Sequence, residues 1–325
     1  MRIIEIGKND AGQRLDKFLS KAVKAMPASL MYKSIRTKKI KVNRKRAEIS
    51  QILNEGDTVQ LFLSDELFDT KKDLTSVYTH ISPSFSVIYE DENIILCDKP
   101  AGLNVHSDEE NDTNNLITQI QAYLFKNGEY DPRAEQSFAP ALCNRIDRNT
   151  AGIVIAAKNA EALREMNAVI KERELTKKYL CAVNGVPFKK EDTLKGYLFK
   201  NSKTNTVTVY SEQKRGSKEI KTKYRVISSK NGISLLEVEL LTGRTHQIRA
   251  HLSSIGHPLL GDGKYGINKE ARKDGYKFQA LCSYYLSFNT KGFFSYLNGK
   301  EFRVPKSSVY FLSLFDTSRF SWGEK

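Results

Sequence analysis

The first 63 residues carry a helical and then a strand-like rhythm of apolar positions. Leu15, Phe18, Leu19, Ala22 and Val23 recur at the spacing that gathers side chains on one helix face. Pro27-Ala28-Ser29 then opens a second helix carrying Leu30, Met31 and Ile35, because proline is tolerated where a helix begins. Beyond it, Ile40-Lys41-Val42-Asn43 and Thr58-Val59-Gln60-Leu61-Phe62 alternate as short strands do, with the turn formers Asn54-Glu55-Gly56-Asp57 between them. Residues 1–63 therefore read as one small module of two helices and short strands. Residues 64–84 are mixed polar with no sustained period and Pro83 near their end, and read as a linker.

A second domain, 85–325, starts near Phe85. Its strand candidates are 94–97, 152–157, 179–183, 222–227 and 234–240. One helix stands out between the second and third: after Asn159, the residues Leu163, Met166, Val169 and Ile170 form a stripe opposite Glu161, Arg164, Glu165 and Lys171. Short strands outnumber clear helices, so the class is α+β. No internal repeat is visible, which sets solenoids and propellers aside.

Composition narrows the picture. With 40% hydrophobic and 10% aromatic residues the chain of 325 can bury a core, which excludes disorder. No apolar run approaches the roughly 18 residues of a membrane span, and the polar start is unlike a secretory signal, so a soluble cytoplasmic protein is expected. Cys97, Cys143, Cys181 and Cys282 lie far apart in apolar surroundings, without the paired spacing of zinc or redox sites, and are expected to be reduced core thiols.

Charge adds more. The formal net charge is +14, and residues 1–63 hold 14 basic against 6 acidic side chains. Within 34–46 the cations Arg36, Lys38, Lys39, Lys41, Arg44, Lys45 and Arg46 are accompanied by no acid. Ile35, Ile40 and Val42 interleave them. Burial of those three would fix the backbone and spread the cations over one surface, as a phosphate-binding patch requires.

Three stretches carry candidate chemistry. In Asn144-Arg145-Ile146-Asp147-Arg148-Asn149-Thr150-Ala151-Gly152 an acid sits between two arginines ahead of an apolar run. Nearby cations favour an ionised carboxylate, which can serve as a nucleophile, although the same residue types also form ordinary turns. In Thr242-Gly243-Arg244-Thr245-His246-Gln247-Ile248-Arg249-Ala250-His251 the polar side chains suit an anion or a base edge. His246, His251 and His257 do not make a metal site, since no acid lies between Gly243 and Gly261 to complete a ligand set. Tyr179, behind Lys177 and Lys178, is either a core residue or a face on which a nucleobase stacks.

Together these residues resemble the RluA family of pseudouridine synthases, enzymes that isomerise uridine in RNA. Asp91-Glu92-Asn93-Ile94-Ile95, Asp98-Lys99-Pro100-Ala101-Gly102-Leu103 and Val105-His106 look like the family's first motif. Asn144-Arg145-Ile146-Asp147, with Thr150 and Gly152, is similar to the His-Arg-Leu-Asp motif, with Asn144 where His is usual and Ala151 where Ser is usual. Lys178-Tyr179, Gly243 to Arg249, Gly256-His257-Pro258 and Gly261-Asp262 with Tyr265-Gly266 follow in the family's order. The first module resembles the S-four-type RNA-binding domain of the RluC and RluD branches, most closely RluC, which modifies large-subunit ribosomal RNA.

The resemblance implies a mixed, mainly antiparallel sheet with flanking helices, and a flipped-out uridine as substrate. It makes Asp147 the nucleophile, Tyr179 the stacking residue and Arg249 the partner of Asp147. Arg145, which fills the gap left by the base, joins Arg244, His246 and Gln247 in binding substrate. The seven cations of 34–46 would bind RNA. No cofactor or metal is implied, and a monomer is the default. Alternatives are a non-catalytic RNA-binding ribosome-assembly factor, or a synthase acting on transfer RNA.

Overall fold

The computed structural model describes residues 1–68, 74–107, 113–266, 276–318 and 320–322. Near the N-terminus, strands β1 (Arg2–Glu5), β2 (Ile40–Val42), β3 (Lys45–Arg46) and β4 (Thr58–Leu61) form an antiparallel sheet in the order β1-β4-β2-β3. Helices α1 (Leu15–Ala22) and α2 (Ala28–Arg36) pack on it, the second starting directly after Pro27. Leu15, Phe18, Leu19, Ile35, Ile40, Val42, Val59 and Leu61 are all buried in one core. The expected rhythm is therefore the one the fold uses. Strands β1 and β3 had no visible pattern: β1 buries only Ile4, and β3 is two exposed cations held by the register of β2.

Within 64–84, where the polar composition suggests only a connector, lies helix α3 (Leu74–His80). Its Tyr78 is buried among Ile120, Leu124 and Tyr130, and the hydroxyl donates to Gln121 Oε1 at 2.9 Å. One aromatic residue is enough to dock so short a helix, which is why no periodicity announces it.

The remainder is built on one large sheet. Strands β5 (Ser86–Glu90), β6 (Ile94–Lys99), β7 (Ala141–Leu142), β8 (Ala151–Ala157), β9 (Leu175–Asn184), β10 (Glu191–Asn201), β11 (Thr206–Tyr210), β12 (Lys218–Lys230), β13 (Ile233–Leu240), β14 (Leu281–Phe288) and β15 (Glu301–Arg303) join in the order β11-β10-β12-β13-β9-β14-β8-β6-β5, with β15 on β14 and β7 on β8. Among the described pairs every junction is antiparallel except β14 with β8, so the mixed, mainly antiparallel sheet is as expected. At that junction Gly152 has φ +111°, and a Cβ there would lie 2.2 Å from the Ser283 carbonyl oxygen. Only glycine allows the two strands to meet.

Strands β6 and β8 are buried along their whole length, so the sheet has a core on each face. Helix α5 (Ala160–Lys171) covers one face with Met166 and Val169; its N-cap is Asn159, whose Oδ1 accepts from the Ala162 N–H at 2.8 Å. The other face carries α4 (Leu116–Lys126) and α6 (Gln247–Ser254). The small module touches the large one through polar contacts. Asn9 donates to Glu135 at 2.7 Å, Gln13 donates to Ser137 Oγ at 2.7 Å, and Arg164 donates to the Ala11 carbonyl at 3.2 Å.

Candidate active site

The strand β8 is preceded by a tight loop that carries Asp147, and Thr150 N–H closes it on the Asp147 carbonyl at 3.0 Å. Thr150 is itself buried and accepts from Gln279 at 2.9 Å. Asn144 begins the loop: its Oδ1 accepts from the Ile155 N–H at 2.7 Å, so the side chain closes the turn onto β8. A side-chain acceptor is all that this position needs locally.

A buried lysine ties this loop to the one after β6. The Lys99 ammonium donates to the carbonyls of Pro100, Leu103 and Arg148 at 2.8, 2.8 and 2.9 Å. Gly102 reinforces the seam, since its N–H donates to the Arg148 carbonyl and its carbonyl accepts from Arg148 Nε. Burial pushes the Lys99 pKa down to about 7, with the Asp147 charge opposing. The first motif therefore shapes the loop that presents Asp147. Sequence reasoning gave Lys99 no role, although a lysine two positions after the run Ile94-Ile95-Leu96-Cys97 is a sign of a buried cation.

The sheet brings Asp147 and Arg249 together across 102 positions of chain. Arg249 NH1 donates to Asp147 Oδ2 at 2.9 Å, while Nε and NH2 of the same guanidinium grip Asp262 Oδ2 and Oδ1 at 2.7 and 2.8 Å. The Asp147 side chain is 27% exposed, whereas Arg249 is 8% and Asp262 0% exposed. One carboxylate thus holds the arginine from below and the other meets it at the rim. Burial pushes the Asp262 carboxyl up, and the Arg249 hydrogen bonds and charge outweigh this, leaving it below its ordinary value. Asp262 also accepts from the N–H groups of Lys264 and Tyr265 at 2.9 and 3.2 Å.

Tyr179 lies on β9, buried, on the same face of the sheet as Ile146 and Ile248. Burial raises its hydroxyl pKa to about 12, and the nearby Asp147 charge adds to the rise. His246 precedes α6 in a left-handed conformation, φ 54°. Its Nε2 faces Asp147 Oδ2 at 3.8 Å and its Nδ1 meets the Tyr265 hydroxyl at 2.8 Å. Tyr265 in turn lies 5.1 Å from the Arg249 guanidinium carbon. Arg145 and Arg244 are exposed.

Gln247, expected to bind substrate, faces the protein in this structure. It is 2% exposed and its amide is fully occupied: Nε2 donates to the Lys221 carbonyl and Thr222 Oγ1, and Oε1 accepts from Thr242 Oγ1 and the Arg244 N–H. It braces the loop ahead of α6 against β12. His251 is also buried, against Thr222 Oγ1 at 2.9 Å, and His257 faces the Asn184 carbonyl at 3.0 Å. The three histidines thus have separate surroundings, and among the described residues no cluster of three His, Cys, Asp or Glu side chains could hold a metal ion.

On the small module Arg36, Lys38, Lys39, Arg44, Lys45 and Arg46 are exposed and Lys41 is half-buried over the Phe62 ring. Ile35, Ile40 and Val42 beneath them are buried. Lys38 and Arg44 sit in left-handed turns, φ 62° and 64°, that turn the chain between the apolar positions.

Comparison with known proteins places these features. Residues 93–254 match the family model described as RNA pseudouridylate synthase, and residues 13–59 match that of the S4 domain. The chain is 34% identical, over 85% of its length and 84% of the relative's, to a protein described as an uncharacterized RNA pseudouridine synthase of Mycoplasma pneumoniae. It is 32% identical to the ribosomal large subunit pseudouridine synthase C of Buchnera aphidicola, covering 82% of this chain and 81% of that one. The solved structure of human RNA pseudouridylate synthase domain containing 4 shares the fold, with a TM-score of 0.56 at 21% identity over 74% of this chain and 94% of that one.

Proposed function

The chain belongs to the RNA pseudouridylate synthase family, isomerases of uridine in RNA, and on that premise we propose that it modifies large-subunit ribosomal RNA with Asp147 as nucleophile. The observation that carries the assignment is the convergence of Asp147, Arg249 and Tyr179 from three separate stretches on one face of the sheet. Asp147 is the acid among them that solvent reaches. The ribosomal target rests on relatives such as the Buchnera synthase C together with the basic module that precedes the site.

The chemistry follows from the geometry. A uridine inside a helix must be flipped out before its glycosidic bond can be reached, and exposed Arg145, beside Asp147, is free to occupy the gap. Tyr179 gives the extruded uracil an apolar face. Asp147 attacks either the sugar carbon or the ring, and Arg249 holds the carboxylate in place. Arg244, exposed on the loop ahead of α6, and His246, whose Nε2 faces Asp147, bind the substrate. Residues 1–63 act as the RNA-binding domain through Arg36, Lys38, Lys39, Lys41, Arg44, Lys45 and Arg46; 64–84 connect and 85–325 catalyse. The working form is a cytoplasmic monomer, and among the described residues no helix is long and apolar enough to cross a membrane.

The test is Asp147→Asn. Pseudouridine mapping of ribosomal and transfer RNA from cells carrying wild type or variant should show specific large-subunit sites lost, while RNA affinity of the purified variant is kept. Unchanged sites in the variant refute the nucleophile, and sites lost only from transfer RNA refute the ribosomal target.

A further inference from the structure

Among the described residues the Tyr265 hydroxyl has two hydrogen-bond partners, and together they point to where its proton lies. The Val207 N–H donates to Tyr265 Oη at 2.9 Å. Val207 is on β11, the edge strand of the large sheet, so an N–H on its open side has no strand partner and is met by the phenol instead. With the oxygen accepting there, the hydroxyl proton points to the other contact, His246 Nδ1 at 2.8 Å. An imidazole that accepts at Nδ1 carries its own proton on Nε2 when neutral. That nitrogen is the one facing Asp147 Oδ2.

Asp147 is thereby made asymmetric. Arg249 NH1 and His246 Nε2 both address Oδ2, at 2.9 and 3.8 Å. We infer that Tyr265 is a positioning residue that locks His246 as the Nε2–H tautomer, so that Oδ2 is the held oxygen of Asp147 and Oδ1 is the one that attacks. This rests on the reading of Asp147 as nucleophile. A lone pair of Oδ1 forms the new C–O bond. At the sugar carbon, the C1′–N1 pair departs with the uracil; at the ring, the C5=C6 pair moves onto C5. In either case Oδ2 becomes the ester carbonyl, still facing two N–H donors, and no proton passes to or from His246.

The same contact explains why a histidine stands in a left-handed turn at the head of α6. Only there do both ring nitrogens have work: one toward Tyr265, the other toward the carboxylate. The ring sits edge-on to Tyr265, with centroids 5.6 Å apart and planes at 69°.

The experiment uses the full chain labelled with ¹⁵N-histidine at pH 8, with His246→Gln identifying the His246 signals. The wild type should show a proton on Nε2 and none on Nδ1. In Tyr265→Phe that signature should be lost, and kcat on an RNA that the wild type modifies should fall about tenfold with KM within about twofold, the mark of a group that acts after binding. A proton on Nδ1 in the wild type, alone or together with one on Nε2, overturns the inference. So does a Tyr265→Phe variant with unchanged kcat. If that variant does not fold, the wild-type spectrum decides alone. A wild-type protein that forms no pseudouridine refutes the proposed function instead, and leaves the tautomer measurement standing.

Discussion

Asp262→Ala is the substitution whose cost the structure defines best. It removes two charge-assisted hydrogen bonds, at 2.7 and 2.8 Å, from a guanidinium that is 8% exposed. The remaining partner, Asp147, sits at the rim and meets a single nitrogen. Leaving one member of a buried pair uncompensated costs about 3–5 kcal/mol. Against a typical domain stability of about 5–15 kcal/mol this is a large share. Asp147→Ala is the natural control, because it leaves the buried pair intact and should be nearly neutral in stability while inactive. Asp262→Asn retains an acceptor for the Lys264 and Tyr265 N–H groups and loses the charge, so it should fall between the two. Urea unfolding followed by fluorescence gives the free energies by linear extrapolation, and turnover on a substrate RNA gives the activity. Asp262→Ala should lose both; equal unfolding midpoints for Asp262→Ala and Asp147→Ala would sink the argument that the lower carboxylate holds the arginine.

Three further outcomes follow from other parts of the molecule. Burial pushes His251 down from 6.5 to about 4, so as pH falls the unfolded chain takes up the proton first; the contribution to stability is full above about 6.5 and is lost between there and 4, and His251→Asn should flatten pH-dependent unfolding in that window. Neutralising Lys38, Lys39 and Arg44 together should weaken RNA binding and reduce the slope of log affinity against log salt by about one unit for each phosphate no longer neutralised; an unaltered slope in a salt titration means that those side chains face water. Gly152→Ala should destabilise the fold by several kcal/mol, about the size of other severe backbone clashes, because its new Cβ has only the Ser283 backbone to displace; calorimetry showing a wild-type melting temperature contradicts that packing.

The helices that sequence reasoning found share one property: a single face does the burying. Helices α1, α2 and α5 have apolar stripes and recognisable starts, at Pro27 and Asn159 for the last two. Helix α6 escaped because it buries polar Gln247, Arg249 and His251 as well as Ile248, Ala250 and Leu252, so no apolar stripe stands opposite a polar one. Strands β10 and β11 escaped for the opposite reason: as edge and near-edge strands they expose Lys195, Phe199 and Lys200 and bury little. Strand β14 is buried almost throughout and shows no alternation.

The candidate site is legible in another way. Asp147, Arg249 and Tyr179 are proposed because ordered motifs resemble a family, not because spacing along the chain brings them together; the sheet order β9-β14-β8 and the packing of α6 on that sheet do that. What spacing cannot show is whether a polar residue faces the substrate or faces the protein. Gln247 and Arg249 lie two positions apart on one short helix, yet the amide bonds to β12 and to the loop ahead of the helix while the guanidinium spends two nitrogens on Asp262 and keeps the third for Asp147. Asp262, Tyr265 and Lys99 stand in recognised motifs, but their work is done on other protein groups, and such roles appear only when donors and acceptors are matched one by one. The carboxylate of Asp147, the proposed nucleophile, is therefore positioned less by its own neighbours in sequence than by Arg249 and His246, about a hundred residues on, which both address Oδ2.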